Sequence, residues 1–265
     1  MTEPKGLLID LDGTLYHGDR MIDGADRLIA LLRRLGRPYL FVTNNSSATP
    51  EAVAARLEGM GIPAEPGEVC TSAQAAAAYI AGSKPDARVF VIGEAGLLEA
   101  VRGAGLREVE EHADFVLQGI DRQFTYARAA RAVSQILEGA RFVMTNPDLL
   151  LPSDHGLIPG AGSIGAMLRA ASGAEPTVIG KPSAILMDFA LKRLGRSASE
   201  TLVVGDNLAT DIAAGACAGC ETVLVLTGLT NDANYETLRL AAGVTPDRTH
   251  RDLHALMAEL SGAGG

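Results

Sequence analysis

Strand-length apolar runs alternate with amphipathic stretches along the whole chain, and few architectures accept that pattern. Gly6 to Leu11, Tyr39 to Thr43, Thr201 to Gly205 and Thr222 to Leu226 are apolar on both faces, as strands must be when helices cover a sheet on both sides. Ala25 to Leu35 (ADRLIALLRRL) and Pro50 to Met60 (PEAVAARLEGM) carry apolar residues at helical spacing, and Gly36 and Gly61 stand where helix C-termini belong. The pattern predicts an α/β fold, a Rossmann-like parallel sheet with helices on both faces.

The middle of the chain repeats this pattern independently. Strand candidates Arg88 to Ile92, Asp114 to Gln118 and Arg141 to Thr145 are separated by helical stretches near Glu94 to Arg102 and Thr125 to Leu137, enough for a smaller α/β domain. The turn-rich segments Gly82-Ser-Lys-Pro85 and Ser172-Gly-Ala-Glu-Pro176 have the composition of domain joints. The expected organisation is a core made of residues 1–82 and 177–265, with residues 83–176 inserted as a second domain.

Charge narrows the function classes. A net charge of -9 argues against non-specific nucleic-acid binding, which needs a basic stripe. A small phosphorylated ligand stays compatible, since one lysine and one cation reverse the field locally. No apolar stretch of membrane-spanning length is free of charge, so a cytoplasmic protein without membrane contact is expected. Cys217 and Cys220 form a lone C-x-x-C late in an Ala-rich helical stretch, where two small buried residues are expected rather than a redox pair. His250 and His254 are four apart without H-E-x-x-H, and a solvated helix face is the expected setting.

The chemistry gathers at strand ends. The first run closes on Asp10-Leu-Asp12-Gly-Thr-Leu15. Two carboxylates there are costly to bury without a compensating cation, and a hard divalent metal is the obvious one. A bare D-x-D is more often an acidic turn, but four apolar residues before it and Gly-Thr-Leu after make this one far more specific. The second run ends Thr43-Asn44-Asn45-Ser46-Ser47, small hydroxyls and amides able to face an anion, although such residues are also ordinary in turns. Lys181, fixed between Gly180 and Pro182, is placed to neutralise a phosphate or a carboxylate rather than float in solvent. Asp206 ends the strand candidate Thr201 to Gly205 and suits a metal. Asp211, five residues on, would act through water or orient a neighbour, unless it merely favours a helix start. Ligands of open α/β sheets bind beyond the carboxyl ends of the strands, where all four motifs converge.

The ordered set D-x-D-G-T-L, T-N-N, G-K-P and G-D-x-x-x-x-D resembles the haloacid dehalogenase superfamily across essentially the whole chain. The insert resembles the cap of the subgroup containing p-nitrophenyl, phosphoglycolate, pyridoxal and nucleotide phosphatases. Thr145-Asn146-Pro147-Asp148 and Pro159-Gly160-Ala161-Gly162 are similar to that subgroup's cap loop. The resemblance implies an Mg²⁺-dependent phosphatase acting on a small phosphorylated metabolite. Asp10 would be the nucleophile and Asp12 the acid and base. Thr43, Asn44, Asn45 and Lys181 would hold the phosphoryl group, and Asp10, the Asp12 carbonyl and Asp206 the metal, with Asp211 behind them. Dehalogenases of the superfamily lack the second acid, so Asp12 favours phosphoryl transfer. Specificity is expected in the loop from Asn146 to Ile164, with Asn146, Asp148 and Asp154 as candidates and Leu149 to Leu151 either in the same role or packed in the core.

Other readings are weaker. A phospho-signalling receiver is half this length with its acids in another order, and a D-x-D glycosyltransferase gives Lys181 and Asp206 no role. Gly160-Ala-Gly-Ser-Ile-Gly165 matches G-x-G-x-x-G, but Pro159 precedes it and no βαβ unit follows. A phosphomutase or a phosphate-binding regulatory protein on the same core stays open, as does a homo-oligomer.

Overall fold

The computed structural model describes residues 5–153 and 156–262. From the N-terminal side come strands β1 (Gly6–Ile9), β2 (Tyr16–His17) and β3 (Arg20–Met21), helix α1 (Ala25–Arg34), β4 (Tyr39–Thr43), α2 (Pro50–Gly59), β5 (Val69–Thr71) and α3 (Ser72–Ser83). The middle supplies β6 (Arg88–Ile92), α4 (Ala95–Gly103), β7 (Arg107–Glu108), β8 (Phe115–Gln118), α5 (Tyr126–Leu137), β9 (Arg141–Met144), β10 (Leu150–Ser153), β11 (Gly156–Pro159), α6 (Ala161–Ser172) and β12 (Thr177–Val178). The chain closes with α7 (Ala184–Leu194), β13 (Thr201–Gly205), α8 (Ala213–Cys217), β14 (Glu221–Val225), α9 (Tyr235–Ala242), β15 (Arg248–His250) and α10 (Leu253–Leu260).

These elements fall into two compact units, one of Met1–Thr43, Glu51–Cys70 and Lys181–Gly265, the other of Asn44–Pro50 and Thr71–Gly180. The borders expected from composition, at 82/83 and 176/177, both lie inside the second unit. Turn-rich composition marks where a chain bends, not which way a helix packs: α3 buries Ala73, Ala75, Ala76 and Ala77 and packs on α4.

In the first unit a six-stranded sheet runs in the order β15-β14-β13-β1-β4-β5. β1 pairs in parallel with β13 on one side and β4 on the other, and β14 and β15 extend the sheet in parallel. Leu7, Leu8 and Ile9 are wholly buried, as a central strand requires. Each such side chain contributes roughly 1.5–3 kcal/mol on burial. In the second unit a five-stranded parallel sheet has the order β12-β9-β8-β6-β7. Its core joins Phe90, Val116 and Phe142 from the sheet to Ala132 and Ile136 of α5 and Leu168 of α6. The fold is α/β, as the alternation predicts.

Smaller expectations fare unevenly. Cys217 is exposed at the end of α8, and only Cys220 of that pair is buried. His250 lies on β15 and His254 on α10, so they do not share a helix face. Gly160 to Gly165 follow β11, the second strand of an antiparallel hairpin, rather than a strand of a βαβ unit. Leu149 and Leu150 are more than half exposed and do not fill a core. Among the described residues, no helix is long and apolar enough to cross a membrane.

Candidate active site

Because β4, β1 and β13 run parallel and in register, their carboxyl ends share one edge of the first unit's sheet. Asp10 follows the last residue of β1 and continues the ladder, its N–H donating to the Val204 carbonyl at 2.9 Å. Asp206 follows β13. Asp211 sits in a π-helical turn, Leu208–Ile212, where the Ile212 N–H reaches back five residues to the Asn207 carbonyl. Such widened turns recur at functional sites. Here the turn brings Asp211 Oδ2 within 3.1 Å of the Asn207 N–H and sets the carboxylate beside β13.

Oxygens of Asp10, Asp206 and Asp211 lie within 4.8 Å of one another. Lys181 enters this group almost completely buried, at 3% exposure. Its ammonium pairs with Asp10, lies 2.6 Å from Asp211 and donates to the Val42 carbonyl at 3.3 Å. Burial alone would lower the lysine's pKa, but the Asp10 and Asp211 charges outweigh it and hold the ammonium above its ordinary range. The acids move the other way. Burial, then the Asp211 charge, pushes Asp10 up to about 7 despite Lys181. Burial, then the charges of Asp211 and Asp10, pushes Asp206 up to about 8.

Three carboxylates against one ammonium leave the cluster short of positive charge. The donors are all hard oxygens, so the site fits a hard divalent cation. The Asp12 side chain is outside this group. It is exposed, and burial of its inner part raises its pKa against the opposing charges of His17 and Arg56. Asp12 is set by a tight turn in which the Gly13 N–H donates to the Tyr16 carbonyl at 2.8 Å. Gly13 takes φ +87° there, a conformation that L side chains rarely adopt. Thr14 is fully buried, its hydroxyl 3.3 Å from Asp10 Oδ2 and 3.5 Å from Asp206 Oδ1.

Thr43 is buried at the end of β4. Asn44 and Asn45 group with the second unit. Asn44 Nδ2 donates to Asp148 at 3.2 Å, while its carbonyl accepts from Ser72 Oγ at 2.6 Å and Asn146 Nδ2 at 2.9 Å. Asn45 Oδ1 accepts from the N–H groups of Ser47 and Ala48, a turn leading into α2. Asn146 is buried, and its Oδ1 accepts from the Asp148 N–H at 3.1 Å. Asn146 and Asp148, expected to read substrate, therefore hold the loop that follows Thr43. Asp154 lies outside the described residues.

Sequence reasoning missed the segment after β14. The Leu229 N–H donates to Asp206 Oδ2 at 2.6 Å, and Thr227 Oγ1 donates to the Gly13 carbonyl at 2.8 Å. Thr227-Gly-Leu-Thr230 carries no acid, amide or cation to draw attention. Its one signal was position, immediately beyond a strand of the same sheet.

Two family models match the chain, one described as haloacid dehalogenase-like hydrolase over residues 7–107 and a second HAD-hydrolase-like model over residues 178–256. The chain is 50% identical to the 5'-nucleotidase YutF of Bacillus subtilis over 85% of its own length and 88% of that protein's. It is 42% identical to an acid sugar phosphatase of Staphylococcus aureus over 98% of its length and 99% of the relative's. Among solved structures, a p-nitrophenyl phosphatase from Archaeoglobus fulgidus superimposes with a TM-score of 0.92 at 36% identity, covering 97% of this chain and 99% of the other. The chain belongs to the haloacid dehalogenase-like hydrolase family, within the branch that these phosphatases occupy.

Proposed function

We propose that this enzyme hydrolyses a small phosphomonoester with Mg²⁺ as cofactor, through a phosphoryl group carried on Asp10. The observation that carries the reading is Asp10 at the end of β1, paired with buried Lys181 and grouped with Asp206 and Asp211. An Asp10 carboxylate oxygen attacks phosphorus, the new P–O bond forming as the bond to the leaving oxygen breaks. Asp12, on the exposed turn, gives its proton to that oxygen. It then takes a proton from the water that attacks the aspartyl-phosphate, releasing inorganic phosphate and restoring Asp10. Lys181 offsets the negative charge of Asp10 and the phosphoryl oxygens. Thr43 holds the phosphoryl group, with Asn44 and Asn45 on the same loop.

Asp10 and Asp206 would hold Mg²⁺ together with the Asp12 carbonyl, and Asp211 would steady Lys181 beside them. Bound Mg²⁺ supplies the missing positive charge against the phosphoryl oxygens. The relatives are named for three different leaving groups, a nucleoside, an acid sugar and p-nitrophenol. These core residues are therefore assigned to the phosphoryl group and metal, which all phosphomonoesters share.

The test is hydrolysis of p-nitrophenyl phosphate, nucleoside 5'-monophosphates and sugar phosphates, in Mg²⁺ and in EDTA, by wild type and Asp10→Asn. Turnover only by wild type with Mg²⁺ supports the reading. An active, folded Asp10→Asn enzyme would refute the nucleophile, and full activity in EDTA would refute the metal.

A further inference from the structure

The segment Thr227 to Thr230 straps the ends of β1 and β13 together. From one side, Thr227 Oγ1 donates to the Gly13 carbonyl at 2.8 Å, and the Thr227 carbonyl lies 2.7 Å from His17 Nε2 on the β2–β3 hairpin. From the other, the Leu229 N–H holds Asp206 Oδ2 at 2.6 Å and the Thr230 N–H donates to the Asp206 backbone carbonyl at 3.2 Å. Asn234 Nδ2 fixes the Leu229 carbonyl at 2.9 Å. Gly228 lies between these anchors with no space to spare. A Cβ there would strike the Asp206 carboxylate and come 2.7 Å from the Gly13 Cα.

The two oxygens of Asp206 consequently have different work. Oδ2 is held by a backbone donor that cannot rotate away. Oδ1 faces Thr14, whose hydroxyl also reaches Asp10 Oδ2. A carboxylate held by one oxygen presents the other in a fixed direction, and partners behind a metal ligand commonly govern affinity for this reason. The hydroxyl of Thr227 does the corresponding job for the turn that carries Asp12, since Gly13 is the next residue.

We infer that Thr227, Gly228 and the Leu229 N–H form a positioning strap that fixes the Asp206 carboxylate and the Asp12–Gly13 turn relative to each other. The inference rests on the reading of the site as an Mg²⁺-dependent phosphatase centre. The strap bonds to the Gly13 carbonyl and to the Asp206 carboxylate, so its effect passes through Asp206 and the Asp12 turn. The two halves differ in the readout each moves most, although the Asp12 carbonyl assigned to Mg²⁺ lies on the same turn. Gly228→Ala pushes on the metal carboxylate and weakens Mg²⁺ binding, whereas Thr227→Val keeps the side chain's shape, frees the Gly13 carbonyl and slows the proton transfers of Asp12.

The experiment measures Mg²⁺ binding by calorimetry and kcat and KM for p-nitrophenyl phosphate, on wild type, Gly228→Ala, Thr227→Val and Thr227→Ser, with thermal melts to confirm folding. Gly228→Ala is expected to lose roughly tenfold or more in Mg²⁺ affinity, and Thr227→Val about tenfold in kcat with KM little changed. Thr227→Ser, which keeps the hydroxyl, restores kcat. Wild-type Mg²⁺ affinity in Gly228→Ala, or equal kcat loss in Thr227→Ser and Thr227→Val, overturns the inference while leaving the phosphatase reading intact. A wild-type chain that binds no Mg²⁺ overturns the reading and the inference with it.

Discussion

Lys181→Met puts the electrostatics of the site to a direct test. The ammonium is 3% exposed and pairs with Asp10 and Asp211, both close to Asp206. Methionine fills a similar volume without charge, so the loss is one of compensation rather than packing. Breaking a buried pair by removing one partner costs about 3–5 kcal/mol, because the remaining charge stays buried. Each kcal/mol shifts the melting temperature of a chain this size by about 2–4 °C, which gives a fall of roughly 6–20 °C. The melt belongs in EDTA at neutral pH, where no added cation replaces the ammonium. Turnover with Mg²⁺ should fall about 100- to 1000-fold, the scale on which loss of one preorganised group at developing charge is felt. Asp211→Asn in the same background removes one surplus negative charge and should recover part of the melting temperature. That recovery identifies repulsion among carboxylates as the cause. A Lys181→Met enzyme that melts and turns over like wild type would refute the reasoning, as would a double variant less stable than the single one.

Metal-free enzyme should lose stability as pH rises. The folded values of Asp10 and Asp206, about 7 and about 8, lie above the ordinary range near 4. The stability tied to their protonated forms is complete below about pH 4 and disappears as pH climbs through 7 to 8. Melts in EDTA should therefore fall across that window and Mg²⁺ should narrow the loss, and a flat profile in EDTA would contradict the assignment. In the second unit the Arg88 and Lys84 side chains hold Asp114 far below the ordinary carboxylate range, with the Arg88 N–H donating to it at 2.8 Å. Because that pKa is depressed, the pair stabilises above the unfolded value near 4 and fades as pH drops further. Asp114→Asn should cost about 1–2 kcal/mol at neutral pH and progressively less in acid, and an equal cost at both ends of a pH-dependent melt would rule this out.

The strand ends were legible because burial leaves few reasons for a carboxylate to follow four apolar residues. Asp10 and Asp206 announce themselves that way, and Lys181 does so through its rigid flanks. Asp211 was located, but the neighbour it pairs with was not. Its counting distance from Asp206 is visible, yet the π-helical turn that carries it to Lys181 leaves no mark in residue type. Asn146 and Asp148 show what a sequence hides. Their position in a polar loop suggests recognition, and the structure adds that both are engaged with Asn44, a pairing between residues a hundred positions apart that no local pattern encodes. The hairpins β2–β3 and β10–β11 went unforeseen, since strands of two to four residues carry too few alternations to register. The strap after β14 was invisible for a related reason: its main contribution to Asp206 is a backbone N–H, which every residue but proline has.

The place of β1 in its sheet also governs when a growing chain becomes an enzyme. Gly6 pairs with Thr201 and Leu7 with Tyr39, so one edge of β1 finds its neighbour early while the other waits for most of translation. All of the second unit, through Gly180, leaves the ribosome in the interval. During that wait a fully apolar Gly-Leu-Leu-Ile strand offers an unpaired edge, the kind of surface on which nascent chains aggregate or recruit chaperones. Lys181 and Asp206 are also still to be made. Any truncated product ending before β13 therefore lacks Asp206 and keeps one apolar edge of β1 unpaired.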